Sequence, residues 1–207
     1  MKDKADRVRT SPGDASRASN GNSRTVTVGG AIAHRRHTAA SVSLGVAIER
    51  VGAERIEEME PLYIALHEHH AAIRPELAGG VARDPADSWR RRRRRYQDWL
   101  AQPGAFALLA RRAEGAAVGF AVVTVEDGFD SWRCGERIGE VHDIALLPEA
   151  RGDGLGSELL ARVAAELAAD GVDYYRLLVL EGNEDAVRFY ERAGLGTVVQ
   201  QMLGRTA

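Results

Sequence analysis

The chain has one cysteine, Cys134, in 207 residues. A lone thiol excludes an intramolecular disulfide framework and a cysteine-based zinc ribbon, and it fits a reducing compartment. Long apolar runs are also missing. None approaches the about 20 residues that span a bilayer, and the N-terminus lacks the charged, apolar and small-residue succession of a secretory signal. The expectation is a soluble, cytoplasmic protein with no membrane partner. Neither sign of charge dominates, because 28 basic and 30 acidic side chains leave a formal charge of −2. A surface built throughout for nucleic acid would be strongly basic, so nucleic acid is not the expected partner. No Gly-x-Ser-x-Gly elbow occurs, and a serine hydrolase would need one.

Residues 1–45 are rich in Ser, Gly, Ala, Asn and Arg and poor in large apolar side chains. Such a stretch cannot bury enough surface to offset its ordering entropy, so it reads as a disordered tail preceding one domain over 46–207. Val46–Val51 has the length and flanks of a strand, and Ile56, Met59, Leu62, Tyr63 and Leu66 recur at helical spacing. A second helix is expected from Ala86 to Ala101, ended by Pro103-Gly104. Ala105–Ala110 and Ala117–Val125 read as a hairpin around Glu114-Gly115, and Ile138–Leu147 as a third strand. Leu155, Leu159, Leu160, Val163 and Leu167 mark one face of a helix that Gly171 closes. A strand over Val172–Leu180, a helix striped by Ala186, Phe189, Tyr190 and Ala193, and a last strand over Gly196–Met202 complete the expectation. Hairpins followed by alternating strands and helices indicate a mixed α/β sheet.

Between the third strand and its helix lies Arg151-Gly152-Asp153-Gly154-Leu155-Gly156. The first amides of a helix have no intrahelical partner and carry partial positive charge, and glycines let backbone approach a ligand closely. A strand, a glycine loop and an amphipathic helix make a credible phosphate site. The spacing does not fit a Walker loop, since Gly156 precedes Ser157-Glu158 rather than Lys-Ser/Thr, and it is too tight for the dinucleotide fingerprint. Arg-Gly-Asp as an adhesion tripeptide would need an exposed loop on a secreted protein. A plain strand-to-helix turn remains open on these residues alone.

A second motif changes the balance. Asn183 precedes a helix that carries Tyr190 near its end, in Asn183-Glu184-Asp185-Ala186-Val187-Arg188-Phe189-Tyr190-Glu191-Arg192-Ala193-Gly194-Leu195. Together with the glycine loop, in this order and on these elements, the chain resembles the GNAT superfamily of acyl-CoA-dependent N-acyltransferases from Val46 onward. The resemblance implies an α/β fold with a central mixed, mostly antiparallel sheet flanked by helices. It implies acetyl transfer from acetyl-CoA, a co-substrate, directly to a primary amine of a small molecule or peptide, without a metal. By the same resemblance the amides of Arg151, Gly152, Asp153, Gly154, Leu155 and Gly156 hold the pyrophosphate. The backbone of Ile144, Ala145 and Leu146 pairs with the pantetheine arm, and Asn183 hydrogen-bonds it from across the cleft. Tyr190 is implied as the general acid, the Ile144 N–H as oxyanion donor and Glu140 as the general base, with Glu136 and water as alternatives. His142 would share a strand face with Glu140 by alternation, while Asp143 would point the other way. Asn183 also reads as an N-cap, and Tyr190 as an aromatic beside Phe189 in the core.

Three other stretches invite functional readings. Arg90–Arg95 forms a run that, on a helix, points all around the axis. Trp89, Arg92, Arg93, Tyr96, Trp99 and Leu100 share one face, so one or two arginines must lie over the core with their stems packed. A salt-bridged solvated helix, the rim of a site for an acidic substrate and a binder of nucleic acid or acidic proteins all fit. His67 and His70 in His-Glu-His-His stand one turn apart without an evident third ligand, so an exposed helix end is expected rather than a metal site. Cys134 lies in a loop without a nucleophile motif. A non-catalytic acyl-CoA sensor is the alternative to an enzyme, and a monomer or homodimer is expected.

Overall fold

The computed structural model describes residues 45–78, 81–204 and 206. The expected N-terminal tail, apart from Gly45, lies outside the described residues. Five strands form one sheet in the order β1 (Val46–Val51), β2 (Phe106–Arg112), β3 (Ala117–Asp127), β4 (Arg137–Leu146) and β5 (Tyr175–Leu177). The first three pairings are antiparallel and β4 with β5 is parallel. The parallel step needs a crossover. Helix α4 (Leu155–Ala169) provides it.

Helices cover both faces, which explains why β2 and β3 read as nearly unbroken apolar runs. Ala107, Leu109, Phe120 and Val122 point to one face. There they meet a 3₁₀ segment (Ala53–Met59), α1 (Glu60–Ile73) and α3 (Pro85–Leu100) through Ile56, Met59, Leu62, Tyr63, Trp89 and Tyr96. A short turn of helix, α2 (Pro75–Ala78), follows α1. Phe106, Leu108, Ala121 and Val123 point to the opposite face and pack on Leu159, Val163 and Leu167 of α4. The expected helical stripes are therefore the buried ones. The last helix, α5 (Glu184–Arg192), has no fully buried residue and lies beside β5 in sequence.

Two expectations need correction. The strand expected over Val172–Leu180 forms a ladder only at Tyr175–Leu177, because β5 parts from β4 after Leu177. The strand expected over Gly196–Met202 does not form. Val198, Val199 and Met202 are exposed and the segment pairs with no described strand. Its β-branched residues supply local propensity, but a ladder needs a partner edge, and propensity alone does not hold a strand.

Leu159 is fully buried between the sheet and α4. Truncating Leu159→Ala should lower the unfolding free energy by about 3 kcal/mol in urea titrations, the transfer loss plus the cavity left behind. A loss under about 1 kcal/mol would mean that α4 is not clamped to the sheet.

Candidate active site

Strand β4 carries an irregularity that places the site. Val122 pairs with Asp143 and Val123 with Val141, so His142 is an extra residue, a β-bulge. Simple alternation therefore fails here. Val141 packs on the α4 face. His142 and Asp143 both turn to the α1 and α3 face, His142 stacking on Trp99 at 3.5 Å and Asp143 accepting from the Tyr96 hydroxyl at 2.7 Å. The expectation that Asp143 points away from His142 is corrected by this bulge.

Immediately past the bulge the sheet opens. β5 pairs with Gly139–Val141 and no further. Ile144, Ala145 and Leu146 on one side and Leu178–Leu180 on the other then line a cleft of about 430 Å³. β4 keeps its β3 partner throughout, as Ala121 faces Ile144 and Phe120 faces Ala145. On the cleft side its edge has no strand partner among the described residues, and half of a strand's backbone groups face each edge. A flexible ligand with amide groups can occupy that edge as an added strand would.

At one end of the cleft stands the glycine loop. Gly152 and Gly154 have φ of 100° and 83°, the left-handed region that glycine enters without penalty. A Cβ at either would meet nothing within 4 Å, so the glycines are there for backbone shape, not for close packing. The starts of α3 and α5 are closed by side chains. Asp84 Oδ1 accepts from the Ala86 and Asp87 amides at 3.0 and 3.1 Å, and Asn183 Oδ1 from the Ala186 amide at 3.3 Å. α4 starts at Gly154 with no side-chain cap, leaving its first-turn amides and dipole for an outside acceptor. Arg151 crosses back to donate from Nε to the Leu146 carbonyl at 3.2 Å, which ties the loop to the end of β4.

The wall opposite is α5. Asn183 and Tyr190 both line the cleft, with Phe189, which also reaches under Gly156. Burial pushes the Tyr190 phenol up to about 12, with Tyr175 adding to the effect, so it keeps its proton at neutral pH. The structure thus brings together Ile144, Ala145, Leu146, Arg151, Gly152, Gly154, Gly156, Asn183 and Tyr190 around one cleft. Three other expected residues fall outside its lining. Leu155 is buried against Ala110, Val118 and Ala150, Asp153 stands exposed in the loop, and Glu140 holds Arg176 of β5 in an ion pair.

Sequence reasoning gave little weight to the polar cluster at the bulge. Asp143 is buried, receives the Tyr96 hydroxyl and lies 3.4 Å from the Arg92 guanidinium. Burial raises its pKa against the opposing pull of Arg92 and Tyr96. Thr124 donates its single hydroxyl proton to Glu126 at 2.6 Å, so it must accept from His142 Nε2–H at 2.8 Å. Burial pulls the His142 pKa from 6.5 down to about 4, which keeps the ring neutral at pH 7. His69 and His70 of α1 also line the cleft, whereas His67 bonds the Arg83 carbonyl at 2.9 Å. Among the described residues no group of His, Cys, Asp or Glu is arranged to hold a metal, and no helix is long and apolar enough to cross a membrane.

Known proteins share this architecture. Residues 64–195 match the model of the acetyltransferase (GNAT) family. The chain belongs to that family. A mycothiol acetyltransferase of Thermobispora bispora is 36% identical over 138 residues, 65% of this chain, and the match spans 42% of that relative's length. Among solved structures, a GCN5-related N-acetyltransferase from Ralstonia eutropha JMP134 shares the fold with a TM-score of 0.62 at 18% identity, covering 78% of this chain and 99% of that one. Aminoglycoside N-acetyltransferase AAC(6')-Iy, solved in complex with CoA, does so with a TM-score of 0.57 at 17% identity, covering 78% and 94%.

Below its ordinary pKa of 6.5, His142 takes up a proton in the unfolded chain, while the native residue resists it down to about 4. Stability must therefore fall as pH drops through that interval. His70, also lowered chiefly by burial, acts in the same sense. Carboxylates such as Glu58, held at about 2 by hydrogen bonds from Arg55 and Arg111, begin to contribute only below 4.5. Urea midpoints should decline between about pH 7 and about pH 5, and His142→Gln should flatten the decline. An unchanged slope in that variant would show that His142 is not buried in its neutral form.

Proposed function

We propose that this domain is a cytoplasmic N-acetyltransferase that moves an acetyl group from acetyl-CoA directly to a primary amine. One observation carries the reading. The parting of β4 from β5 joins an uncapped, glycine-started helix, an unpaired strand edge and a proton-holding tyrosine along a single cleft. That order matches the parts of a CoA thioester: diphosphate, amide-bearing arm and sulfur.

The amides of residues 151–156 would bind the diphosphate, favoured by the α4 dipole. Ile144, Ala145 and Leu146 would hydrogen-bond the pantetheine arm from β4. Asn183 would do so from α5, where its amide nitrogen is not used by the cap bond that its Oδ1 makes to Ala186. A thioester is already activated, so holding an amine beside its carbonyl supplies much of the acceleration. The Ile144 N–H would stabilise the oxyanion of the tetrahedral intermediate. Tyr190, whose burial keeps the phenol protonated, would then donate to the departing sulfur.

The amine must shed a proton before attack, since its pKa is about 10. His142 is a poor acceptor because its environment disfavours the imidazolium. We assign the role to Glu140, reached through solvent. It faces Thr124 across the ladder and so lies on the same side of the sheet as His142. Its carboxylate is held by Arg176 of β5.

Thiol release from acetyl-CoA with a panel of primary amines tests turnover. Tyr190→Phe should lower kcat by about a hundredfold or more while leaving acetyl-CoA affinity within about threefold of wild type. Acetyl-CoA binding without thiol release for any amine would favour a sensor over an enzyme. Replacing Gly154 by Glu, which adds both charge and a strained φ, should abolish acetyl-CoA binding in calorimetry. Unchanged affinity would remove the loop from the cofactor site.

A further inference from the structure

The arginine run of α3 builds a second concavity. A cavity of about 370 Å³ lies beside the cleft, lined by Tyr63, Ser88 and the arginines at 83, 91, 92, 94 and 95. Five arginines thus line a space to which, among the described residues, two carboxylates are tied. Asp87 is shared by Arg83, Arg90 and Arg91, and Asp143 pairs with Arg92. Arg94 and Arg95 form no ion pair among the described residues, while Arg93, outside the cavity, is tied to Glu57.

The central member is fixed in place. The Arg92 guanidinium sits 5.5 Å from both the Tyr63 and Trp99 ring centres and 3.4 Å from Asp143. Arg95 lies over the same Trp99 ring at 5.5 Å. Tyr63 and Ser88 hydroxyls are bonded to each other at 2.7 Å on the cavity wall. Rigid aromatic walls with planar guanidinium donors suit the bidentate binding of a carboxylate or phosphate.

The cavity also has a defined relation to the cleft. Asp143 lines the cleft and holds Arg92, which lines the cavity; Trp99 stacks on His142, another cleft residue. An anion in the cavity would therefore lie one side chain away from the bulge of β4, beside which the acyl group would sit. We propose that this cavity is the docking site for an anionic group, a carboxylate or a phosphate monoester, on the amine acceptor. The inference rests on the transfer reading above and adds the acceptor's chemical class to it. A nucleic-acid strand fits less well. The partly buried arginine faces a concave space, and among the more outward ones Arg90, Arg91 and Arg93 are already paired with Asp87 and Glu57.

Matched acceptors test this on the full chain. β-Alanine is compared with its amide, and phosphoethanolamine with ethanolamine, by thiol release from acetyl-CoA. At least one anionic member should exceed its neutral partner in kcat/KM by about tenfold or more, and the pair that does so tells carboxylate from phosphate. In the double variant Arg94→Gln, Arg95→Gln that ratio should fall towards one. Equal use of both members by the wild type would overturn the proposal, as would a ratio untouched by the double variant. An equilibrium arm separates this failure from failure of the transfer reading. Inorganic phosphate is titrated by calorimetry into protein saturated with CoA, so that the cofactor loop is already filled. Phosphate binding that weakens about tenfold or more in the double variant would support the site even if no amine in the panel turned over. Absent or unaffected phosphate binding, with no anionic preference in turnover, would overturn it, and salt-sensitive capture of duplex DNA by the same arginines would then assign them to nucleic acid.

Discussion

Two parallel strands that stay paired for only three residues set the terms for this molecule. β4 and β5 run together from Gly139 to Val141 and then diverge. Backbone groups that leave a ladder must find other partners, because an unpaired buried amide costs about as much as a lost hydrogen bond. Here the freed edge lines an open cleft instead. A ligand that supplies amides along its length can restore the missing ladder, which is why strand geometry and cofactor chemistry fit one another. The bulge at His142 stands at the last paired residues and adds twist where the strands separate.

The same region concentrates polarity within an otherwise apolar layer. Asp143, Tyr96 and Arg92 form one buried cluster, and Glu126, Thr124 and His142 form a second chain of bonds on the same sheet face. Buried polar groups must be bonded to be tolerated, and among the described residues no buried side-chain polar atom lacks a partner. The Trp99 ring links the two groups by stacking on His142 and lying beneath Arg92. Loss of any one member would leave a partner unsatisfied, so the cluster fixes α3 against β4, and its His142 and Asp143 line the cleft.

Much of this was legible in the residues. The periods of α1, α3 and α4 gave the buried stripes, and the hairpin of β2 and β3 followed from two β-rich runs around a Gly turn. The glycine loop and the Asn183 to Tyr190 spacing pointed to the cleft's two walls, and the matched family covers both. Arg92 does lie over the core face, as the helical spacing of the run required. What escaped was non-local. A bulge depends on how β4 meets β3, so alternation placed Asp143 on the wrong face. The pairing of Glu140 with Arg176 joins residues 36 positions apart, and no spacing rule reports it. Thr197-Val198-Val199 offered strand propensity without the edge that would make a strand.

The central claim is that the freed edge of β4 and the open start of α4 together receive CoA. Amide hydrogen exchange, measured with and without CoA, tests it most directly. The account predicts slowed exchange concentrated at residues 144–146 and 152–157, with strands β1 and β2, away from the cleft, unchanged. CoA binding that leaves both stretches exchanging as before would contradict it.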